Sequence, residues 1–403
     1  MELFWLEHKK LWRKKTVKIC VLLCFVYCVI FGSILSFQWF CFGSSDDYTS
    51  AFGNNFDGYT VIKDSQEYAL SFGGELTDET LQKIVSDYQQ MEADGMEEEL
   101  EKTDWQIVNS WLGTLYPELQ DTSNYKTMIS YVDPDKLTGF YERRQQVLDE
   151  FLEVSGQVGA EKEFLHQIER KVEKPFHYEW VEGWSTLLGS TVADLGVVMA
   201  LFLGIVLSSL FAGEWHDNTS TLVLTTRNGW GKIALAKILT GLAFTVELFA
   251  LLAVSNVISQ LFFMGTAGWD MPIQNIKLIA VAPMNMLQAE IYEYAFVLLG
   301  AIGFAGIVMF ISAAVKNNVL TLLLSLAVVY GPMMIVEYLP YEMQKALDLI
   351  PLVGSSTDIF RTNTFRIFGK LIWSPYLLIT IPVLIGILCM PFAIKSWSRR
   401  MKA

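Results

Sequence analysis

The chain has 403 residues, of which 52% are hydrophobic and 18% charged. It is poorer in charge and richer in Phe, Trp and Leu than a water-soluble domain, which excludes an ordinary soluble fold and points to the membrane. Its net charge of −13 leaves nucleic acid off the expected partners and is unevenly spread: residues 44–187 hold 30 acidic and 11 basic side chains, a balance of −19, leaving +6 for the rest.

At the start of the chain, Leu3, Phe4, Leu6, Leu11 and Trp12 interleave with Glu7, Lys9, Lys10 and Arg13. Residues 1–16 are therefore predicted to form an amphipathic helix lying in the membrane interface. The apolar run that follows, Val17 to Phe42, is too long for a signal peptide and lacks a small-residue cleavage pattern, so it reads as an uncleaved first span. Five more runs, Leu187 to Ala212, Ile233 to Met264, Tyr294 to Val315, Val319 to Val336 and Trp373 to Ile394, approach or exceed the roughly twenty residues that a helix needs to cross a bilayer. They are continuously apolar, not alternating, and backbone groups in lipid must bond within the segment. The expected fold is an all-α polytopic membrane protein with six transmembrane helices. Lys9, Lys10, Arg13, Lys14, Lys15 and Lys18 flank the first run and Lys395, Arg399, Arg400 and Lys402 the last. The positive-inside rule then assigns both termini to the cytoplasm.

Residues 43–186 are expected to form a mainly helical extracellular domain. After a Gly, Ser and Asn-rich loop, helical patterns carry Leu81, Ile84, Val85 and Tyr88, then Trp105, Trp111 and Tyr116. Two further stripes hold Phe140, Val147, Leu148, Phe151 and Leu152, and Phe164, Leu165, Ile168 and Val172, with Pro175 as a stop. The acidity of this region suits either electrostatic steering of cationic peptides or a plain solvated face. Thr266 to Glu293 reads as an outer loop. Residues 337–372 read as an outer segment whose LDLIPLVG core dips back toward the membrane, with Arg361, Arg366 and Lys370 set against the charge bias.

Chemistry-bearing motifs are scarce. RNGWGKIAL lacks the first Gly of a phosphate-binding loop, and His8, His166, His177 and His216 are dispersed. No G-x-S-x-G elbow occurs, so the chain is read as no enzyme by itself. Cys20, Cys24 and Cys28 share a helix face but have no His or carboxylate beside them, so they read as packing thiols and not as a metal site. Asp194 and Glu247 fall inside predicted spans, where an ionisable side chain is a site candidate by default.

The most substantial internal polar feature on the predicted cytoplasmic side is FAGEWHDNTSTLVLTTRNGWGKIALAKIL, Phe211 to Leu239. Glu214 closes one span, Asp217 or Asn218 can cap a short helix through Leu224, and Arg227 opens an RNG turn before Lys232 and Lys237 begin the next span. From the residues alone this is either an ordinary connector or a docking element. Glu214, the Thr219 to Leu224 segment with Leu222, Gly231 with Lys232, and Ala236 with Lys237 together resemble the inner loop of permeases of type-2 ABC exporters. The amphipathic start, the six-span layout and the long insert after the first span extend the resemblance. GGELTDETLQKIVSDYQ, GFYERRQQVLDEFL and KPFHYEWVEGW are similar to insert segments of a Gram-positive subgroup. Lys232 departs from the Arg usual at its position.

The resemblance implies a subunit of a bacterial cell-membrane exporter that binds no cofactor itself. ATP and Mg would be held by a separate ABC ATPase docked on a coupling loop at 212–237, beside a second permease copy or paralogue and membrane lipids. The cargo would be a peptide or amphipathic compound such as an antimicrobial peptide. The alternative is a membrane-anchored surface sensor or assembly protein that binds ligands through its acidic outer domain without transport.

Overall fold

The computed structural model describes residues 2–42, 66, 73–96, 106–121, 126–188, 192–216, 231–354 and 362–399. The chain is mostly helical, 75%, with 13 α-helices and two small antiparallel strand pairs among the described residues. Helix α1 (Glu2–Arg13) leads after a one-residue break into the 28-residue α2 (Lys15–Phe42). An insert then carries β1 (Gly74–Leu76), α3 (Asp78–Ala93), α4 (Gln106–Leu115), α5 (Phe140–Val154), α6 (Ala160–Glu169), β2 (Phe176–Tyr178) and α7 (Glu182–Thr186). Long apolar helices follow: α8 (Val192–His216), α9 (Lys232–Met264), α10 (Met286–Ala314) and α11 (Asn318–Ile335). After the short α12 (Tyr341–Leu347) and the hairpin β3 (Thr364–Ile367) to β4 (Lys370–Trp373), α13 (Ser374–Arg399) ends the described chain. Among the described residues five helices, α8 to α11 and α13, are long and apolar enough to cross a membrane.

Helix α10 is the centre of the bundle. One side packs on α8 and the other on α13, where glycines bring the backbones into contact. A Cβ on Gly306 would stand 2.4 Å from the Gly386 carbonyl oxygen, and one on Gly303 2.3 Å from that of Pro382. Without a hydrophobic drive between helices in lipid, such close van der Waals approach is what holds them. Gly306→Val is expected to force α10 and α13 apart and lower stability by about 1–3 kcal/mol or more, seen as a lower melting temperature of the purified chain. Gly331→Ala, on α11 with nothing within 4 Å of its new methyl, is the matched control. A melting temperature equal in the two variants contradicts the packing.

Helix α11 buries only a narrow row, Thr321, Ser325 and Val329, and turns Leu320, Leu323 and Leu324 outward. On α8 the peptide nitrogens of Phe211 and Ala212 both donate to Ser312 Oγ of α10 at 3.1 Å. That hydroxyl in turn donates to the Ser208 carbonyl at 2.7 Å. The last turns of α8 are thus tied to α10 through backbone.

The insert is joined to the α9–α10 connection, at the opposite end of the bundle. Its own core holds Leu81, Ile84, Val85, Trp111, Phe140 and Phe176, and Leu278 from the α9–α10 connection enters that core. Trp111 Nε1 donates to the Asn275 carbonyl at 2.8 Å, and Asn275 Nδ2 to the His177 carbonyl at 2.9 Å. Arg144, fully buried, donates to the carbonyls of Leu278 at 2.7 Å and Ala280 at 3.1 Å and pairs with Glu169 at 2.6 Å. Burial pushes the Glu169 carboxyl up, but hydrogen bonds from Lys174 and Arg144 outweigh it and hold the group below its usual value. A depressed folded-state value gives stability that is complete above the ordinary carboxylate range and is lost as pH falls through the folded value. Acidification from about pH 6 to about pH 3 is therefore expected to lower the melting temperature less in Glu169→Gln than in the wild type. Equal acid sensitivity of the two contradicts this.

Several boundaries differ from the sequence reading. The fourth apolar helix begins at Met286, not Tyr294, because Asn285 and Gln288 form a reciprocal capping box. The outer loop therefore ends at 285 and not at Glu293. The described part of α8 begins at Val192, and Leu187 and Leu188 are buried just beyond α7. The last helix runs on to Arg399, since Trp397 is fully buried against Phe211 and Trp215. Helix α6 ends at Glu169, well before Pro175, and Phe151 is 40% exposed, off the buried stripe. In the 337–372 segment, Leu352 and Pro351 lie where Cβ atoms on Gly300 and Gly303 would touch them, roughly 20 Å along α10 from its start at 1.5 Å per residue. Arg366 pairs with Glu161 of the acidic insert at 2.5 Å, which accounts for a basic residue at this end.

Candidate functional site

The end of the bundle away from the insert gathers the C-terminus of α8, the N-terminus of α9 and helix α1. Ala234, Ala236 and Gly241 of α9 are small, which lets α1 and α8 approach and encloses Lys237 among them. Lys237, 2% exposed, places Nζ 2.8 Å from Glu7 Oε2 of α1 and 2.8 Å from Glu214 Oε1 of α8. The same Glu214 oxygen accepts from Lys10 of α1 at 2.5 Å, and Glu214 is 4% exposed. Lys14 Nζ donates to Ser209 Oγ of α8 at 3.0 Å. Two acids and two bases from three helices thus close one network, with the Glu214–Lys237 pair at its buried centre.

A second contact lies further along the same face. Glu247 of α9 accepts from Trp12 Nε1 at 3.0 Å, and His8 Nε2 stands 3.1 Å from its other oxygen. Trp12 also meets Phe244 edge-on with ring centroids 5.8 Å apart. Helix α1 is therefore fixed to α9 at two levels, while its Trp5 and Leu6 face outward.

Of the residues proposed from sequence, Glu214 and Lys237 meet directly and bracket residues 217–230. Asp217, Asn218, Thr219, Leu222, Leu224 and Arg227 lie outside the described residues, as does the predicted docking helix. Lys232 is exposed at the start of α9. Lys237 is buried, with two carboxylates of the same chain holding its ammonium group. Glu247 is no isolated intramembrane acid. It is 43% exposed and held by His8 and Trp12. Asp194 falls on α8, and its side chain lies outside the description.

Sequence reasoning missed a different acid. Glu290, in the second turn of α10, is 3% exposed, and its carboxyl oxygens make no well-formed hydrogen bond among the described residues, the Tyr294 hydroxyl being the donor beside them. It faces the Leu252, Asn256, Gln260 and Met264 side of α9, where side chains four apart form one buried row. Asn256 Nδ2 donates to Tyr294 Oη at 2.9 Å, and the Tyr294 hydroxyl lies beside the Glu290 carboxyl. The signal was present as N-x-x-Q at 285–288, which moves the helix start ahead of this residue.

A cleft of about 400 Å³ opens where the insert meets the α9–α10 connection, lined by Lys171, Glu173, His177, Asp270, Gln274 and Gln288 among others. Among the described residues no group of three or more His, Cys, Asp or Glu side chains is arranged to hold a metal ion. No protein-family model matches the chain, and no curated protein or solved structure matches it.

Proposed function

We propose that the chain is the membrane-spanning subunit of an ATP-driven exporter of the type-2 ABC class, paired with a second permease and powered by a separate ATPase. In this reading α2 is the first of six spans, the insert is extracellular, and both termini are cytoplasmic. The observation that carries it is the buried Glu214–Lys237 pair, joined to Glu7 and Lys10 of α1. It ties the two ends of the 217–230 segment to each other and to α1. A load applied to that segment is passed to α8, α9 and α1 as one body, which is what a coupling element requires.

Charge supports the orientation. Lys9, Lys10, Arg13 and Lys14 lie at the α1 end with Lys232 and Lys316, and the acidic insert lies at the other. Such a separation follows the positive-inside rule. The cleft beside His177 and Asp270 favours the competing reading of an anchored surface receptor. A receptor, however, has no use for a buried network that couples three helices at the opposite end. Purification of the tagged chain from its native membranes in mild detergent separates the two. The exporter reading expects a stoichiometric ATP-binding subunit whose ATP turnover changes when the chain is removed. A preparation of the chain alone, with no ATPase in any detergent tried, overturns it.

A further inference from the structure

The unexplained chemistry of the molecule lies between α9 and α10, at the insert end. Three buried acceptor oxygens there, Glu290 Oε1, Glu290 Oε2 and Asn256 Oδ1, make no well-formed hydrogen bond among the described residues, the Tyr294 hydroxyl being the donor that stands beside the carboxyl. Tyr294 links the two residues: its hydroxyl accepts from Asn256 and stands beside the Glu290 carboxyl one helical turn away. Each side chain is at least nine-tenths buried, Asn256 at 1% and Glu290 at 3% exposure.

Burying a carboxyl and a carboxamide oxygen without well-formed hydrogen bonds is costly, and natural proteins retain such groups where they have a use. Structural roles do not account for these. The helices on either side are held by other means: α10 by its glycine contact with α13, and α9 by α1 and by Trp184 of α7, whose Nε1 donates to the Thr266 carbonyl at 3.3 Å.

We propose that Glu290, Asn256 and Tyr294 form a site for a primary ammonium group carried on an apolar body. The match is one of charge and of donor count. A carboxylate supplies a single negative charge, and an ammonium brings three N–H donors to three waiting oxygens. A bare metal cation suits the set poorly, because hard cations take six or more oxygens. The apolar body has room to follow. The site is walled by Leu252 and Met264, and Ile258 and Phe262 of the same helix turn outward into an apolar surface. In this conformation the site is closed over, so occupation requires α9 to part from α10 near their insert ends. α9 is the mobile candidate, since α10 is locked to α13 backbone to backbone.

That the ammonium belongs to exported cargo rests on the exporter reading; that the site takes an ammonium does not. The test therefore uses the full chain alone in lipid nanodiscs, without ATPase or nucleotide, and two probes of equal chain length, dodecylamine and dodecanol. Binding is followed by intrinsic tryptophan fluorescence, with empty nanodiscs subtracted. The wild type is expected to prefer the amine by about tenfold, the worth of one charged hydrogen-bonded contact. Glu290→Gln is expected to abolish that preference while still binding dodecanol, which shows that the variant is folded. Glu247→Gln is expected to retain it. A wild type without preference, or a Glu290→Gln variant that keeps it, overturns the proposal. Displacement of the amine by an equal concentration of potassium also overturns it, since the site would then be one for a bare cation. Any of these failures leaves the ATPase co-purification result standing.

Discussion

Lys237→Met is expected to destabilise the chain by about 3–5 kcal/mol, as removal of one member of a buried ion pair does. The substitution keeps the length of the side chain and takes the cation out from between Glu7 and Glu214, which lie 2.8 Å from it on either side. The loss comes less from the missing attraction than from a carboxylate at 4% exposure left short of its buried counter-charge. Replacing both members, Glu214→Leu with Lys237→Met, is expected to recover part of the stability, because an apolar pair of similar volume leaves no charge at 214 or 237, while Glu7, 16% exposed, still loses its partner. The double variant nevertheless loses the tie to α1. If the network couples helices, it will be stable but uncoupled. Melting temperatures of the single and double variants decide the energetic point. A single variant that melts with the wild type shows that the pair contributes nothing.

Arg144→Met is expected to cost a similar amount at the opposite end of the molecule. Arg144 is fully buried and spends three donors on Leu278, Ala280 and Glu169, so the variant leaves two carbonyls and a carboxylate short of partners. Its neighbour Arg143 is 29% exposed and pairs with the half-exposed Glu118. Arg143→Met is therefore expected to cost about 1 kcal/mol or less. Arg143 also donates to the Thr138 and Leu115 carbonyls and lies over the Tyr116 ring, but it does so at the surface of the insert and not at its joint with the 266–285 loop. Limited proteolysis of the joint between insert and 266–285 loop provides the readout: early cleavage in Arg144→Met and not in Arg143→Met. Equal cleavage rates contradict the assignment of Arg144 as the pin of that joint.

The helices were legible in the sequence wherever hydrophobicity alone decides. The runs from Ile233 and from Val319 begin within one residue of α9 and α11, because in lipid an apolar run and a helix are nearly the same thing. Legibility failed where polar groups were buried. The buried row of α5 is Phe140, Arg144, Leu148 and Leu152. A reading that counts only apolar residues passed over Arg144 and took in Phe151. Glu290 was lost for the same reason: a span defined by lack of charge stops short of an acid that the helix encloses. Neither the Glu7–Lys237 contact nor the His8–Glu247 contact leaves any trace in local periodicity, since the partners are 230 and 239 residues apart. Glu214 and Lys237 were recognisable as a flanking pair, but not as each other's partners.

In the proposed exporter, force from a partner ATPase enters through residues 217–230 and is carried by the Glu214–Lys237 network. This route is tested most directly by exchanging 217–230 for a Gly-Ser linker of equal length and reconstituting the chain with its co-purified ATPase in vesicles. ATP-dependent accumulation of a cationic amphipathic peptide is then measured. The wild type is expected to accumulate the peptide, and the linker variant, still folded by its melting temperature, is expected neither to accumulate it nor to stimulate ATP turnover. Undiminished accumulation and stimulation in the linker variant would contradict this route.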